Sequence, residues 1–160
     1  MGEDIIQLYT KHFGLKASIA RFYNVYGPYK LTEGVYTTLI GRWIDNIEKN
    51  IPCEIYGDGE KRRDFTHIND IVDGLTKIMQ QKEYGYIFEL GRGKNYSVNE
   101  VAEMFDIKPQ YKEEKPGEAK STLANYEIAK EILGWEPKIN LEDYIYEQKK
   151  LWKNTFTEEN

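Results

Sequence analysis

One cysteine, two histidines and five prolines in 160 residues close off several classes of protein at the outset. With Cys53 alone, no disulfide framework can form within the chain, which suits a reducing cytosol and gives a cytoplasmic expectation. Cys53 lies in Ile51-Pro52-Cys53-Glu54-Ile55-Tyr56, a strand entry, and reads as a small buried filler rather than a reactive thiol. His12 and His67 are far apart, and no Cys/His/Asp group has metal-ligand spacing, so no metal is expected. No apolar run approaches the roughly 20 residues that span a bilayer. Met1-Gly2-Glu3-Asp4 lacks the basic start of a signal peptide, and no membrane partner is expected. A serine nucleophile elbow is missing, as are internal repeats and low-complexity linkers. The net charge of −5 disfavours nonspecific nucleic-acid binding.

Aromatic residues, by contrast, are plentiful, with 13 tyrosines and 3 tryptophans. That is enough apolar surface for a real core and a single domain over residues 1–160. Helical spacing over 4–13 places Ile5, Ile6, Leu8, Tyr9 and Phe13 together and ends at Gly14. Ala17–Phe22 reads as a strand and Asn24–Gly34 as a loop. A helix is expected over Val35–Glu48, then strand pieces at Glu54–Tyr56 and Asp64–His67 flank a Gly-Asp-Gly turn. Asn69–Gln81 reads as a helix capped by Asn69 or Asp70, with Ile71, Val72, Leu75, Ile78 and Met79 inward.

Tyr86–Leu90 is the next strand, stopped by Gly91-Arg92-Gly93. Ser97 opens a helix with Glu100 three residues on, a capping-box spacing. Lys108–Glu114 is an expected edge strand, Tyr126–Leu133 a helix closed by Gly134, and Leu141–Trp152 the last helix, with 155–160 frayed. Strands and helices alternate, so the class is α/β.

Two stretches carry the chemistry. The first is Tyr56-Gly57-Asp58-Gly59-Glu60-Lys61-Arg62-Arg63-Asp64-Phe65-Thr66-His67-Ile68-Asn69-Asp70. It sets paired arginines between a tight turn and a helix start, where a guanidinium can fork onto phosphate oxygens. The other reading of Arg63 is a surface arginine paired with Asp64 or Asp70. Arg62 is expected to be solvated. The second stretch is Arg21-Phe22-Tyr23-Asn24-Val25-Tyr26-Gly27-Pro28, which places Asn24 just past a strand end, where open α/β sheets bind ligands. Asn24 could equally form an Asx turn.

Together these stretches resemble the extended short-chain dehydrogenase/reductase family, in particular its NAD-dependent nucleotide-sugar epimerases and dehydratases of the UDP-glucose 4-epimerase type. Gly134-Trp135-Glu136-Pro137 matches a packing segment near that family's carboxyl end. The resemblance implies the carboxy-terminal part of an extended Rossmann-type fold, the last sheet strands plus a small α/β substrate-binding lobe. It implies that Arg63 holds the diphosphate of a nucleotide sugar and that Asn24 contacts substrate. Tyr56 packs on the base or in the core, and Phe22 and Tyr23 lie near the nicotinamide of NAD. Lys115-Pro116-Gly117-Glu118 stands where the family shows Arg-Pro-Gly-Asp. Lys115 would then share the diphosphate without a bidentate fork, and Glu118 would contact ribose; a solvated charged turn is the other reading.

The family's Gly-x-x-Gly-x-x-Gly cofactor loop and its Tyr-x-x-x-Lys catalytic pair are not in the sequence. The expectation is therefore no catalytic residue and no NAD binding by this chain alone, the amino-terminal NAD-binding portion lying elsewhere. Two functions are open: the nucleotide-sugar-binding portion of such an enzyme, inactive by itself, or a non-catalytic module binding a nucleotide or a partner. Expected partners are a nucleotide-diphosphate sugar, an amino-terminal half in trans and a second copy of the chain.

Overall fold

A computed structural model of the chain describes residues 1–29, 37–114 and 116–157, with side chains to Trp152. Its elements alternate as an α/β fold. They run α1 (Gly2–Phe13), β1 (Ile19–Phe22), β2 (Val25–Tyr26), α2 (Leu39–Glu48), β3 (Glu54–Tyr56), β4 (Arg62–Asp64) and β5 (Thr66–His67). Then follow α3 (Ile68–Met79), β6 (Ile87–Leu90), β7 (Asn95–Ser97), α4 (Val98–Met104), β8 (Gln110–Lys112), α5 (Glu127–Leu133) and α6 (Leu141–Thr157).

Strands pair two by two. β1 lies parallel to β6 in the register Ile19 to Ile87 through Phe22 to Leu90. β2 runs parallel to β5, and β3 parallel to β8. Among the described strands only β4 and β7 pair antiparallel, with Arg63 opposite Tyr96. The connections β1 to β6 and β3 to β8 are long crossovers that carry helices, as parallel pairing demands.

Two apolar clusters hold these layers. One joins Ile40, Trp43 and Ile44 of α2 to Ile55, Phe65, Val101, Phe105, Leu141 and Ile145, with Cys53 buried among them. The other packs Ile71, Phe88, Leu90, Ala129, Leu133 and Trp135. Trp135 is fully buried, and its indole N–H donates to the Asp70 carbonyl at 2.9 Å, so the large ring is packed and its one polar atom satisfied. Burial drives the Cys53 thiol pKa upward, in keeping with a filler. Among the described residues no helix is long and apolar enough to cross a membrane.

The structure redraws several boundaries. α2 starts at Leu39, with the Thr38 hydroxyl accepting from the Gly41 amide; the expected start at Val35 lies outside the described residues. The loop expected from Asn24 contains β2, whose two residues have no pattern of their own and exist by pairing with β5. Asp64–His67 is two strands, because Phe65 turns into the core and β4 and β5 find different partners. β7 was not foreseen. α6 continues to Thr157, past the expected end at Trp152.

Two side chains of α3 also depart from expectation. Val72 and Met79 are 52% and 85% exposed, so the buried stripe is narrower than the apolar spacing suggests. The cap of α3 is neither Asn69 nor Asp70 but His67, whose Nδ1 accepts from the Asn69 amide at 3.1 Å. Its ring is buried and edges against Tyr26 and Tyr144.

Burial lowers the His67 pKa from its ordinary 6.5, only partly opposed by Asp70. An imidazolium would also lose the acceptor at Nδ1 and set a positive charge at the positive end of a helix. A base whose folded pKa is depressed is protonated first in the unfolded chain. Stability is therefore complete above about pH 6.5 and falls as pH drops below it. Thermal melts of parent and His67→Asn between pH 7.5 and 5.5 should show the parent losing melting temperature more steeply than the variant. Parallel slopes would contradict this role.

Candidate functional site

The polypeptide turns sharply after β3, and the Gly57-Asp58-Gly59 turn returns it along β4. Gly57 and Gly59 take φ +84° and +79°, which only glycine accepts at little strain. In β4 alternate residues face opposite ways. Lys61 and Arg63 consequently share one side, and Arg62 takes the other.

On the first side lies a cleft of about 240 Å³. Asn24, Tyr56, Arg63 and Glu118 line it, together with Arg42 of α2 and Lys61. Asn24 reaches it from the end of β1, held by a hydrogen bond from the Thr66 amide to its carbonyl and by the Thr122 hydroxyl at its amide oxygen. Tyr56 stands at the end of β3, its hydroxyl donating to Glu54 at 3.1 Å. The Arg63 guanidinium donates from Nη1 to the Arg62 carbonyl at 2.9 Å, and its Nη2 is 3.8 Å from Glu118. Lys61 Nζ sits 3.0 Å from Glu114 and 3.1 Å from Glu118, and these carboxylates, Glu114 first, raise its pKa. The cleft thus brings three cations and two carboxylates to one wall of mixed polar and apolar groups, a composition suited to an anionic ligand with a flat apolar part.

Arg62 is partly exposed, its side chain 38% accessible, but it is not a free surface cation. Its guanidinium donates to the Asn95 side chain and carbonyl, both at 3.0 Å, and to Glu100 at 2.8 Å. Glu100 simultaneously closes the capping box of α4 with Ser97. Arg62 is therefore a clasp between β4, β7 and α4.

Asp64 is fully buried, a role that the sequence reading missed. Its carboxylate accepts from the amides of Arg92 and Gly93, each at 2.8 Å, and of Ala124 at 3.0 Å. The close approach is possible because Gly91 has no side chain: a Cβ there would lie 2.2 Å from that of Ala124. So the Gly91-Arg92-Gly93 loop wraps the protein's own carboxylate.

Phe22 and Tyr23 lie outside the cleft lining, at the carboxyl end of β1. Phe22 is half exposed. Tyr23 is held beside Glu89, and burial first, then that hydrogen bond, pushes its pKa up to about 12. The glycine-rich amides at 92 and 93 are already spent on Asp64. Lys115 lies outside the described residues. Among the described residues no group of His, Cys, Asp and Glu is placed to hold a metal ion.

The sequence model of the NAD dependent epimerase/dehydratase family matches residues 1–91. The chain belongs to that family. It is 38% identical to a UDP-glucuronate 4-epimerase of Thermodesulfobacterium geofontis over 145 residues, covering 84% of this chain and 43% of that protein. Among solved structures, UDP-glucose 4-epimerase of Thermotoga maritima with UDP-glucose superposes with a TM-score of 0.84 and 28% identity, covering 96% of this chain and 51% of that one. A variant of UDP-glucuronic acid 4-epimerase from Bacillus cereus, in complex with UDP-4-deoxy-4-fluoro-glucuronic acid and NAD, matches with a TM-score of 0.78 and 28% identity, over 90% of this chain and 47% of that one. The chain spans about half the length of these epimerase-family relatives.

Proposed function

We propose that this family member is the nucleotide-sugar-binding side of an NAD-dependent sugar epimerase or dehydratase, carrying the carboxy-terminal part of that fold as one domain. The observation that carries the reading is the meeting of Asn24, Tyr56, Arg63 and Glu118 on one cleft, although they lie up to 94 residues apart in sequence. Arg63 and Lys61 take the diphosphate, Arg63 by a directed fork and Lys61 as a point charge. Tyr56 offers a ring to the base, Glu118 stands against the two cations that grip the phosphates, and Asn24 faces the sugar. Lys115 joins the phosphate grip. Phe22 and Tyr23 border the place where a nicotinamide would sit once the remainder of the fold is present. The relatives that bind UDP-sugars make a uridine ligand the first choice, and the setting is the cytoplasm.

A second reading has its own support. Ile5, Leu8, Tyr9 and Phe13 of α1 are between 50% and 71% exposed, and α1 buries none of its residues. An apolar face of that size suits a partner chain, either a polypeptide carrying the amino-terminal part of the fold or a second copy. The chain would then be a binding module without catalysis. The two readings separate when this chain is mixed with a polypeptide carrying the cofactor loop and Tyr-x-x-x-Lys pair of a family relative. Turnover of a UDP-sugar that depends on both polypeptides and on NAD is the expected result. A stable complex without turnover would favour the module.

A further inference from the structure

Glu118 sets a carboxylate against two cations of the cleft. Its Oε2 lies 3.1 Å from Lys61 Nζ and 3.8 Å from Arg63 Nη2, so one carboxylate faces two of the cleft's three cations. The cations are covered and fixed. Their side chains are only 12% and 17% exposed. The Lys61 carbonyl accepts from the Val98 amide, and Arg63 is paired in the β4–β7 ladder and tied to the Arg62 carbonyl. Glu118 is the loose member. It is 45% exposed and follows Gly117, whose φ is +84° and around which an added Cβ would meet nothing within 4 Å. Turning Glu118 outward meets nothing packed at Gly117, whereas the Lys61 and Arg63 side chains are largely covered and have little room to move.

We infer that Glu118 is an internal counter-ion that holds the anion subsite in the unliganded chain and that an incoming diphosphate displaces. This rests on the cleft being the diphosphate site. The consequence is selectivity by charge. Glu114 pairs with Lys61 at 3.0 Å, but Glu118 is the carboxylate that faces Arg63 as well, and it supplies a shared counter-ion at no cost in translational freedom. A weakly charged anion gains little by replacing it, while a diphosphate engages both cations at once. Removing the carboxylate should therefore help all anions and help the weaker ones most, narrowing the choice between them.

The test uses the full chain and its Glu118→Gln variant, titrated by calorimetry and by ¹⁵N NMR with inorganic pyrophosphate, UDP and UMP. Glu147→Gln removes one charge from the exposed pair with Lys150 on α6 and controls for net charge. Glu118→Gln should bind pyrophosphate and UDP roughly three- to fivefold tighter, the scale of a partly covered ion pair. Its preference for UDP over UMP should shrink, and Glu147→Gln should match the parent. Weaker binding by Glu118→Gln would make Glu118 a direct ligand contact and overturn the counter-ion role, as would unchanged binding. Tighter pyrophosphate binding without any gain from the uridine would uphold the counter-ion and sink the nucleotide reading instead. If pyrophosphate perturbs neither Arg63 nor Lys61 in either protein, the counter-ion role fails.

Discussion

Asp64→Ala should cost about 3–5 kcal/mol of folding stability, the largest single-residue effect expected in this chain. The carboxylate is fully buried and accepts from the amides of Arg92, Gly93 and Ala124 and, at 3.4 Å, from the Thr66 hydroxyl. Those donors come from three separate segments, so the side chain fastens β4 and β5 to the loop after β6 and to the strand-like run before α5. Alanine would leave buried N–H groups without their acceptor. Each such group costs about 1–3 kcal/mol, less when several relax together. At roughly 2–4 °C per kcal/mol for a chain of this size, the melting temperature should fall by roughly 6–20 °C. Asp64→Asn keeps the shape but turns an NH₂ toward amide donors, so an intermediate loss is expected. Urea unfolding followed by circular dichroism gives the number. A loss under 1 kcal/mol for Asp64→Ala would show that the amides find other partners.

Arg63→Ala should weaken UDP binding about tenfold to a hundredfold while leaving the fold intact. Its guanidinium makes one backbone bond and otherwise faces the cleft, so little of the core depends on it. A charge-assisted hydrogen bond to phosphate contributes about 1.5–3 kcal/mol, and each 1.4 kcal/mol is about a factor of ten. Arg63→Lys keeps the charge but not the fork and should fall between. Arg62→Ala is the informative comparison. It removes the clasp on Asn95 and Glu100, so stability should drop, yet the preference for UDP over UMP should stay as in the parent. Equal losses of UDP affinity from the two alanine variants would contradict the different faces assigned to them.

Much of this arrangement was legible because the signals were local. Gly14 and Gly134 end their helices in the left-handed region, and the Ser97–Glu100 capping box is formed. β1 and β6 were legible as strands at Ala17–Phe22 and Tyr86–Leu90, although each carries one charged residue, Arg21 and Glu89. What escaped was made by contacts distant in sequence. β2 and β7 are two or three residues long and take their conformation from a ladder partner, which no short window reveals. Asp64 looked like a surface partner for Arg63 because its real partners lie 28 to 60 residues further on. Two misses had a usable signal. Strand alternation alone puts Lys61 beside Arg63 and turns Arg62 away. Helical spacing from Leu39 to Arg42 puts that second arginine on the same cleft-facing stripe of α2.

The most direct measurement is a crystal structure of the chain with UDP. The expected density has the diphosphate within hydrogen-bond distance of the Arg63 guanidinium and Lys61 Nζ. The uracil should lie along Tyr56, and Glu118 should have turned off the cations. Diphosphate density elsewhere on the surface would contradict the account, as would a cleft still closed by Glu118 at saturating UDP.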